Sequence, residues 1–381
     1  LVLRRAFSSK KNEINLLWKL IVRTETKQHI VMICTNERGG MRSVVEGYRA
    51  DGLFSSWNVL LLQSHVEGGL ALRLATAVRA YFRFIYLLIK KQVSLVHCHS
   101  AMKGSFWRKS LFALTARAAN VQVIFHLHGS EMKTFVNKQP AILQRLISWI
   151  LEKQSVVVVL SESWLTYLNS ISPKANVQIL PNYVNLADLS SKTENANANV
   201  NVLFLGVVGT RKGIYDLLPA FKDALEAAPE LRLIIGGNGD VEKAQALAMQ
   251  LKITDRVVFA GWVSGEEKTK LLREADIYVL PSYNEGLPVS LLDAMSWQIP
   301  VVSTRVGGIP DLINDGIDGL LITAGDRSAL TAAILKLSQD NRFRATVGTA
   351  GRTKVEDNFS KQVVLPKLEK IYQDLIAQRS R

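Results

Sequence analysis

From residue 29 onward, short apolar runs rich in β-branched residues alternate with longer stretches whose apolar positions recur every three or four residues. The short runs predict buried strands and the recurrence predicts amphipathic helices. In the first half the strands fall at His29–Thr35, Asn58–Leu62, Ser94–His97, Val121–Leu127, Val156–Leu160 and Val177–Leu180. Helical patterns cover Arg42–Ala50, Leu70–Lys91, Gly104–Ala118, Ala141–Glu152 and Ser163–Leu168. Ser190–Asn199 (SSKTENANAN) is polar, small and aperiodic, so it reads as a linker. The rhythm resumes with strands at Asn201–Leu205, Arg232–Ile235, Arg256–Phe259, Ile277–Leu280, Val301–Ser303 and Gly319–Ile322, and a helical run at Lys361–Gln378 closes the chain. Strands apolar on both faces and separated by helices belong to a parallel sheet covered on both sides.

The expected fold is therefore α/β, with two doubly wound parallel sheets facing a central cleft. Residues 1–189 form the first unit, 190–199 the linker and 200–360 the second unit. Residues 361–381 are a terminal helix able to pack back on the first unit, and residues 1–27 are an extension with no assignment.

Composition narrows the class. The 381 residues are 48% hydrophobic and 21% charged, which excludes a disordered chain and suits two cores better than one. The only cysteines, Cys34 and Cys98, sit beside apolar runs, which argues against a disulfide framework and for a reducing cytoplasm. No run of about 18 apolar residues predicts a membrane span, and the basic start Leu1–Lys11 lacks the apolar core and cleavage site of a secretory signal. The net charge of +14 is one-sided: residues 1–189 carry 24 Lys and Arg against 10 Asp and Glu, while residues 190–381 carry 23 of each. The first unit is thus expected to face something anionic, with nucleic acid, lipid headgroups and a pyrophosphate-linked molecule as the options.

The motifs cluster at strand ends, where ligands bind in open α/β sheets. After Ile277–Leu280 comes Pro281-Ser-Tyr-Asn-Glu285-Gly286-Leu287-Pro288, then a helix carrying Asp293. The backbone N–H groups at that helix start suit a diphosphate, and Glu285 and Asp293 are placed to accept hydrogen bonds from hydroxyls of two sugars. On the residues alone, Glu285 reads equally as a helix cap and Asp293 as a solvated acid. Phe204-Leu-Gly206-Val-Val-Gly209-Thr-Arg211-Lys212-Gly213 is a strand, a glycine turn and a helix start, in which Lys212 offers a point charge to a diphosphate. Gly39-Gly40 follow the first strand, where glycine permits close approach to a ligand or simply a turn. Gly236-Gly-Asn-Gly239 ends a strand, where glycine clusters are too common to signal by themselves, and Trp262 reads as core in preference to a stacking platform. His126 reads as a core histidine and His128 as a strand-end residue facing the cleft. His97 and His99 flank Cys98, but no further Cys or His at ligand spacing supports a zinc site, so no metal is expected.

The segment Tyr283–Leu321 resembles the donor-binding core of retaining family 4 (group 1) glycosyltransferases of the GT-B fold, which pairs two Rossmann-like domains. The resemblance extends over nearly the whole chain in element order, with Leu160–Ser163 and Pro181–Val184 as further weak matches. It implies that Glu285 contacts the donor sugar and Asp293 the ribose, with Gly286, Leu287 and Pro288 around the phosphates. Asp293 stands where the family usually has glutamate. Lys212 matches the lysine of the family's phosphate clamp; its usual arginine partner is Val207 here, and Arg211 is placed to substitute. Gly39 and Gly40 match the loop nearest the diphosphate and acceptor, Val263 the main-chain contact to the base, and His128 the histidine beside the transferred sugar. His128, Glu285 and Lys212 are thereby the expected catalytic set, in a front-side retaining transfer that uses no cofactor and no metal.

The resemblance further implies a nucleotide-sugar donor, a lipid-linked or polysaccharide acceptor in surface glycan synthesis, and a cytoplasmic site of action, peripheral on the membrane's inner face. A catalytically inactive nucleotide-sugar-binding or scaffold protein of the same fold is the alternative, given Val207 and Asp293. A dehydrogenase lacks its glycine fingerprint here, and no basic-aromatic nucleic-acid module is present. The helix Leu70–Lys91 (LALRLATAVRAYFRFIYLLIKK) mixes five basic residues with four aromatics. It reads either as a sheet-covering helix with arginines toward solvent or as an interfacial segment for an anionic membrane.

Overall fold

The computed structural model describes residues 28–37, 39–191 and 199–379. The N-terminal extension and most of the expected linker lie outside the described residues. The strands are β1 (His29–Cys34), β2 (Val59–Gln63), β3 (Val93–Ser100), β4 (Gln122–Leu127), β5 (Val156–Val159) and β6 (Val177–Ile179), then β7 (Val200–Leu205), β8 (Leu231–Gly236), β9 (Val257–Gly261), β10 (Ile277–Leu280), β11 (Val301–Thr304) and β12 (Leu320–Ile322). They form two six-stranded parallel sheets, ordered β2-β1-β3-β4-β5-β6 and β12-β11-β10-β7-β8-β9. The doubly wound fold expected from the pattern is the fold found.

Strand chemistry explains the layers. β5 is four valines, all buried, as a strand covered on both faces must be. β3 runs longer than its apolar pattern, because β1 and β4 hold it on both sides while His97, His99 and Ser100 continue it as buried polar residues. On one face of the first sheet, helices 70–89, 104–118 and 141–152 bury Phe84, Phe106, Phe112 and Ile147 in a shared core. Each such side chain contributes about 1.5–3 kcal/mol by leaving water. The opposite face is covered by helix 40–50 and by the terminal helix 361–379, whose Val364, Leu368 and Tyr372 pack against Ile30, Met32 and Val158. Trp57 Nε1 donates to Glu369 Oε1 at 3.0 Å and Arg379 Nη1 to Ser94 O at 3.1 Å, fixing that helix on the first sheet. The chain reaches it beside Val184, whose N–H donates to Phe359 O and whose carbonyl accepts from Lys361 N.

In each sheet the strand order reverses once, between β1 and β3 and between β7 and β10. Crevices at such reversals are where these folds hold ligands. No described helix is long and apolar enough to cross a membrane.

Candidate functional site

The reversal in the second sheet brings together two loops 73 residues apart in sequence. Lys212 ends a short 3₁₀ turn after β7, and Glu285 lies in the loop after β10. Gly213 makes the first turn possible: its φ is +75°, and a Cβ there would lie 2.1 Å from Pro281 O. Lys212 Nζ donates to Glu285 Oε1, and Ser282 Oγ donates to the same oxygen at 2.8 Å. Both side chains of the ion pair are largely buried, at 12% and 8% exposure. Arg211 is about half exposed; its guanidinium donates to Asn284 O at 3.1 Å and stands 4.0 Å from Glu285 Oε2. Val207, where the clamp's second cation was expected, is an exposed side chain on the same loop.

Gly286 and Leu287 lead to Pro288, the residue immediately before helix 289–296, whose missing N–H leaves no donor wasted there. Gly307 and Gly308 back this turn: a Cβ on Gly307 would meet Glu285 O at 1.7 Å, and Gly308 N donates to Gly286 O. Asp293, about one turn into the helix, pairs with Lys268 Nζ and is one-fifth exposed. Lys268 was not anticipated from sequence; it sits on a different helix, 265–273, and only the fold shows its reach. Val263 is buried against Gly236 beyond β9, while Trp262 next to it is 41% exposed. The core reading of Trp262 is thus overturned: it follows the strand end, where the chain has left the sheet.

The first unit meets these loops directly. Asn182 Nδ2 donates to Leu287 O at 2.7 Å, and Ser163 donates to Asp311 Oδ2 through its N–H and its hydroxyl, at 3.1 and 2.8 Å. A Cβ on Gly286 would lie 3.2 Å from His128 O. The carbonyl of His128 therefore lies against the turn that carries Glu285. At the reversal of the first sheet, Gly39 precedes helix 40–50 with φ +149°, and neither it nor Gly40 has an atom within 4 Å of its would-be Cβ.

Four histidines meet at the ends of β3 and β4, because the register sets His99 beside His126. His99 Nδ1 lies 2.8 Å from His128 Nε2, His97 Nε2 lies 3.2 Å from His126 Nδ1, and His97 Nδ1 lies 2.8 Å from the Tyr372 hydroxyl. Burial pushes His97 and His128 down to about 3 and holds His99 and His126 well below the ordinary value, so all four are neutral imidazoles. Nε2 of His99 and of His126 has no hydrogen-bond partner among the described residues. Ligand nitrogens of His97, His99 and His126 lie within 4.8 Å of one another and could hold a metal ion. Sequence spacing missed this grouping because strand pairing, not sequence proximity, creates it. A cavity of about 340 Å³ is lined by residues of the segments that follow β3 and β4, Lys103, Trp107, Glu131, Phe135, Lys138 and Gln139.

Comparison with known proteins places two family models on the chain: Glycosyltransferase Family 4 over residues 21–188 and Glycosyl transferases group 1 over residues 188–354. The chain is similar to the N-acetyl-alpha-D-glucosaminyl L-malate synthase of Bacillus anthracis, 24% identical over 296 residues, covering 75% of this chain and 76% of that protein. It is also similar to the amylovoran biosynthesis glycosyltransferase AmsK of Erwinia amylovora, 33% identical over 183 residues, in a match spanning 46% of this chain and 45% of that protein. Among solved structures, the sucrose-phosphate synthase of Thermosynechococcus elongatus superposes with TM-score 0.76 at 21% identity, over 92% of this chain and all of that one. Anabaena Alr3699/HepE in complex with UDP-glucose superposes with TM-score 0.69 at 17% identity, over 92% and 99% of the two chains.

Proposed function

The chain belongs to the family 4 glycosyltransferases of GT-B fold, and we propose that it moves a sugar, with retention, from a nucleoside diphosphate onto a lipid-linked or polysaccharide acceptor in surface glycan synthesis. The observation that carries this reading is the Lys212–Glu285 pair, set on two loops that meet where the strand order of the second sheet reverses. A diphosphate leaving group gathers negative charge as the glycosidic bond breaks, and a fixed cation in a partly dry site stabilises that charge without reorganising. Lys212 is that cation, Arg211 the second one at the rim, and the turn Gly286–Leu287–Pro288 before helix 289–296 faces the phosphates. Glu285, held by Ser282 and Lys212, accepts hydrogen bonds from hydroxyls of the transferred sugar. Asp293, sharing Lys268, takes the ribose, and the main chain at Val263 takes the base. Gly39 and Gly40 approach the diphosphate from the other side of the cleft, a reading supported by the open space around both.

The division of labour follows: residues 1–189 read the acceptor, residues 200–360 hold the donor, and the terminal helix belongs with the first unit. His128, neutral and oriented by His99, stands beside the transferred sugar as a hydrogen-bonding group and not as a cation. The acceptor hydroxyl attacks the face that the leaving group vacates, and a phosphate oxygen receives its proton. The diphosphate is given no metal in this scheme. The enzyme works in the cytoplasm at the membrane's inner face.

A panel of UDP-, GDP- and ADP-sugars tests the reading. One donor should raise the melting temperature by mass action and release nucleoside diphosphate when an acceptor is supplied. No shift with any sugar nucleotide would overturn it. A shift without turnover against any lipid-linked or glycan acceptor would instead identify a binding protein, the second reading that Val207 favours.

A further inference from the structure

We infer that the helical face of the first sheet docks on an anionic phospholipid surface, through helix 70–89 and its neighbour 141–152. A helix that merely covers a sheet has one apolar stripe, and helix 70–89 has two. The inward stripe is Ala80, Phe84 and Leu87. Successive residues turn by about 100°, so Ala71, Ala75, Val78, Phe82 and Ile89 project within roughly 40° of the direction opposite to it. These five are all exposed, Phe82 at 69% and Ile89 at 73%. Arg79, Arg83 and Lys90 line one edge of this second stripe, and the helix contains no Asp or Glu. The reading in which aromatics face the sheet and only arginines face water is therefore corrected: Phe82 and Tyr86 face water as well.

The feature repeats on the same face. Helix 141–152 packs Ile147, Ile150 and Leu151 into the shared core and turns Ile142, Leu146 and Trp149 outward, with Arg145 and Lys153 beside them. Leu111, on the helix between, is also exposed. An apolar surface of that extent marks an interaction site. The basic edge selects the partner: headgroup attraction with apolar insertion is what an anionic bilayer offers, and lysine and arginine stems can lie along the apolar zone while their charges reach the headgroups. Helix 70–89 begins just after the carboxyl end of β2, so its first turns lie on the cleft side of the sheet. A lipid-borne acceptor would thus reach the cleft from the docked surface. This last step rests on the transferase reading; the docking itself does not.

The test uses the full chain with Ala75→Cys carrying a polarity-sensitive fluorophore, since Cys34 and Cys98 are both buried. Vesicles of phosphatidylglycerol and phosphatidylcholine should shift the emission to the blue, and added salt should weaken the binding. Each basic residue at such a surface contributes a factor of about five, so Arg79→Glu with Arg83→Glu should weaken partitioning by about 30-fold or more. Equal binding to neutral and anionic vesicles at every salt concentration, or no binding, would overturn the inference. So would a probe already blue-shifted without lipid: concentration dependence would then identify a second copy as the occupant, and its absence another part of this chain. The charge-reversed variant should keep the donor-induced rise in melting temperature. Losing vesicle binding while keeping donor binding separates failure of the dock from failure of the transferase reading.

Discussion

At the carboxyl ends of β7 and β10 the cleft is lined by paired charge: Lys212 with Glu285, Arg211 at the rim, and Asp293 with Lys268. At the ends of β3 and β4 lie four neutral imidazoles, of which His97, His99 and His126 are fully buried and only His128 is partly exposed; His97 meets the buried Tyr372 hydroxyl. All six histidines of the chain lie in the first half and none in the second. The two sheets share one architecture, so the difference belongs to the loops and strand ends. Charges held on glycine turns suit a ligand that is itself strongly charged. The buried rings hold His128 in place through His99, and a neutral, partly exposed ring suits a hydroxyl-bearing partner, because it orients that partner without adding charge.

Lys212→Ala is the strongest way to break this contrast. A charge-assisted contact to the diphosphate is typically worth about 1.5–3 kcal/mol, so donor affinity should fall roughly 10- to 150-fold. The same change leaves the largely buried Glu285 with only the Ser282 hydroxyl and the more distant Arg211 guanidinium, a second and independent penalty. Adding Glu285→Gln should recover part of the lost melting temperature and none of the donor affinity. Titration calorimetry with sugar nucleotide and with free nucleoside diphosphate separates the two roles, because Glu285→Ala alone should cost turnover while sparing the free diphosphate. A Glu285 variant that loses both ligands equally would remove its assignment to the sugar.

Acid sharpens the contrast next. The folded values of His97 and His128, about 3, lie below the ordinary 6.5, so the unfolded chain binds more protons between those limits. Stability then rises with pH across that window and levels off above it; equivalently, it is lost as pH falls below about 6.5. His97 and His128 should each contribute a loss of about 1.4 kcal/mol by one pH unit below the unfolded value. Hydrogen exchange at pH 7.5 and 5.5 should show β3 and β4 losing protection while β7 and β10 change less. His126→Asn should flatten the dependence by roughly one proton. Equal loosening of both sheets would place the acid-sensitive groups elsewhere.

What was legible in sequence follows the same divide. The strands of both sheets stand out because β-branched runs such as Val156–Val159 have no other use, and the charged loops stand out because glycine, lysine and glutamate sit at strand ends. The imidazole cluster was invisible: His97 and His126 are 29 residues apart and meet only through the pairing of β3 with β4. Lys268 was missed for the same reason, since a solvated helix and a lysine that closes on Asp293 look alike in one dimension. Helix 70–89 was ambiguous because apolar residues lie on two of its faces, and composition alone does not say which face the sheet takes. Trp262 is exposed although tryptophan is a common core residue, because it lies one residue past the end of β9, where position decides and residue type does not.

The smallest expected effect concerns the rim. Arg211 is half exposed, its guanidinium is already engaged by Asn284 O, and its distance to Glu285 is 4.0 Å, beyond a hydrogen bond. Water screens a cation so placed, so Arg211→Ala should leave the melting temperature almost unchanged. In donor binding it should cost about threefold to tenfold if the diphosphate draws the guanidinium inward, clearly less than Lys212→Ala, because the lysine is enclosed and the arginine must first leave its partner. Val207 is exposed on the same loop, and Val207→Arg adds a cation without displacing core. The pair of variants is decisive when measured together as KM for the sugar nucleotide. If Arg211 serves the clamp, its loss raises KM and Val207→Arg compensates in the double variant. If Arg211→Ala is silent while Val207→Arg lowers KM by itself, this loop holds one working cation, and the charged side of the cleft rests on Lys212 alone.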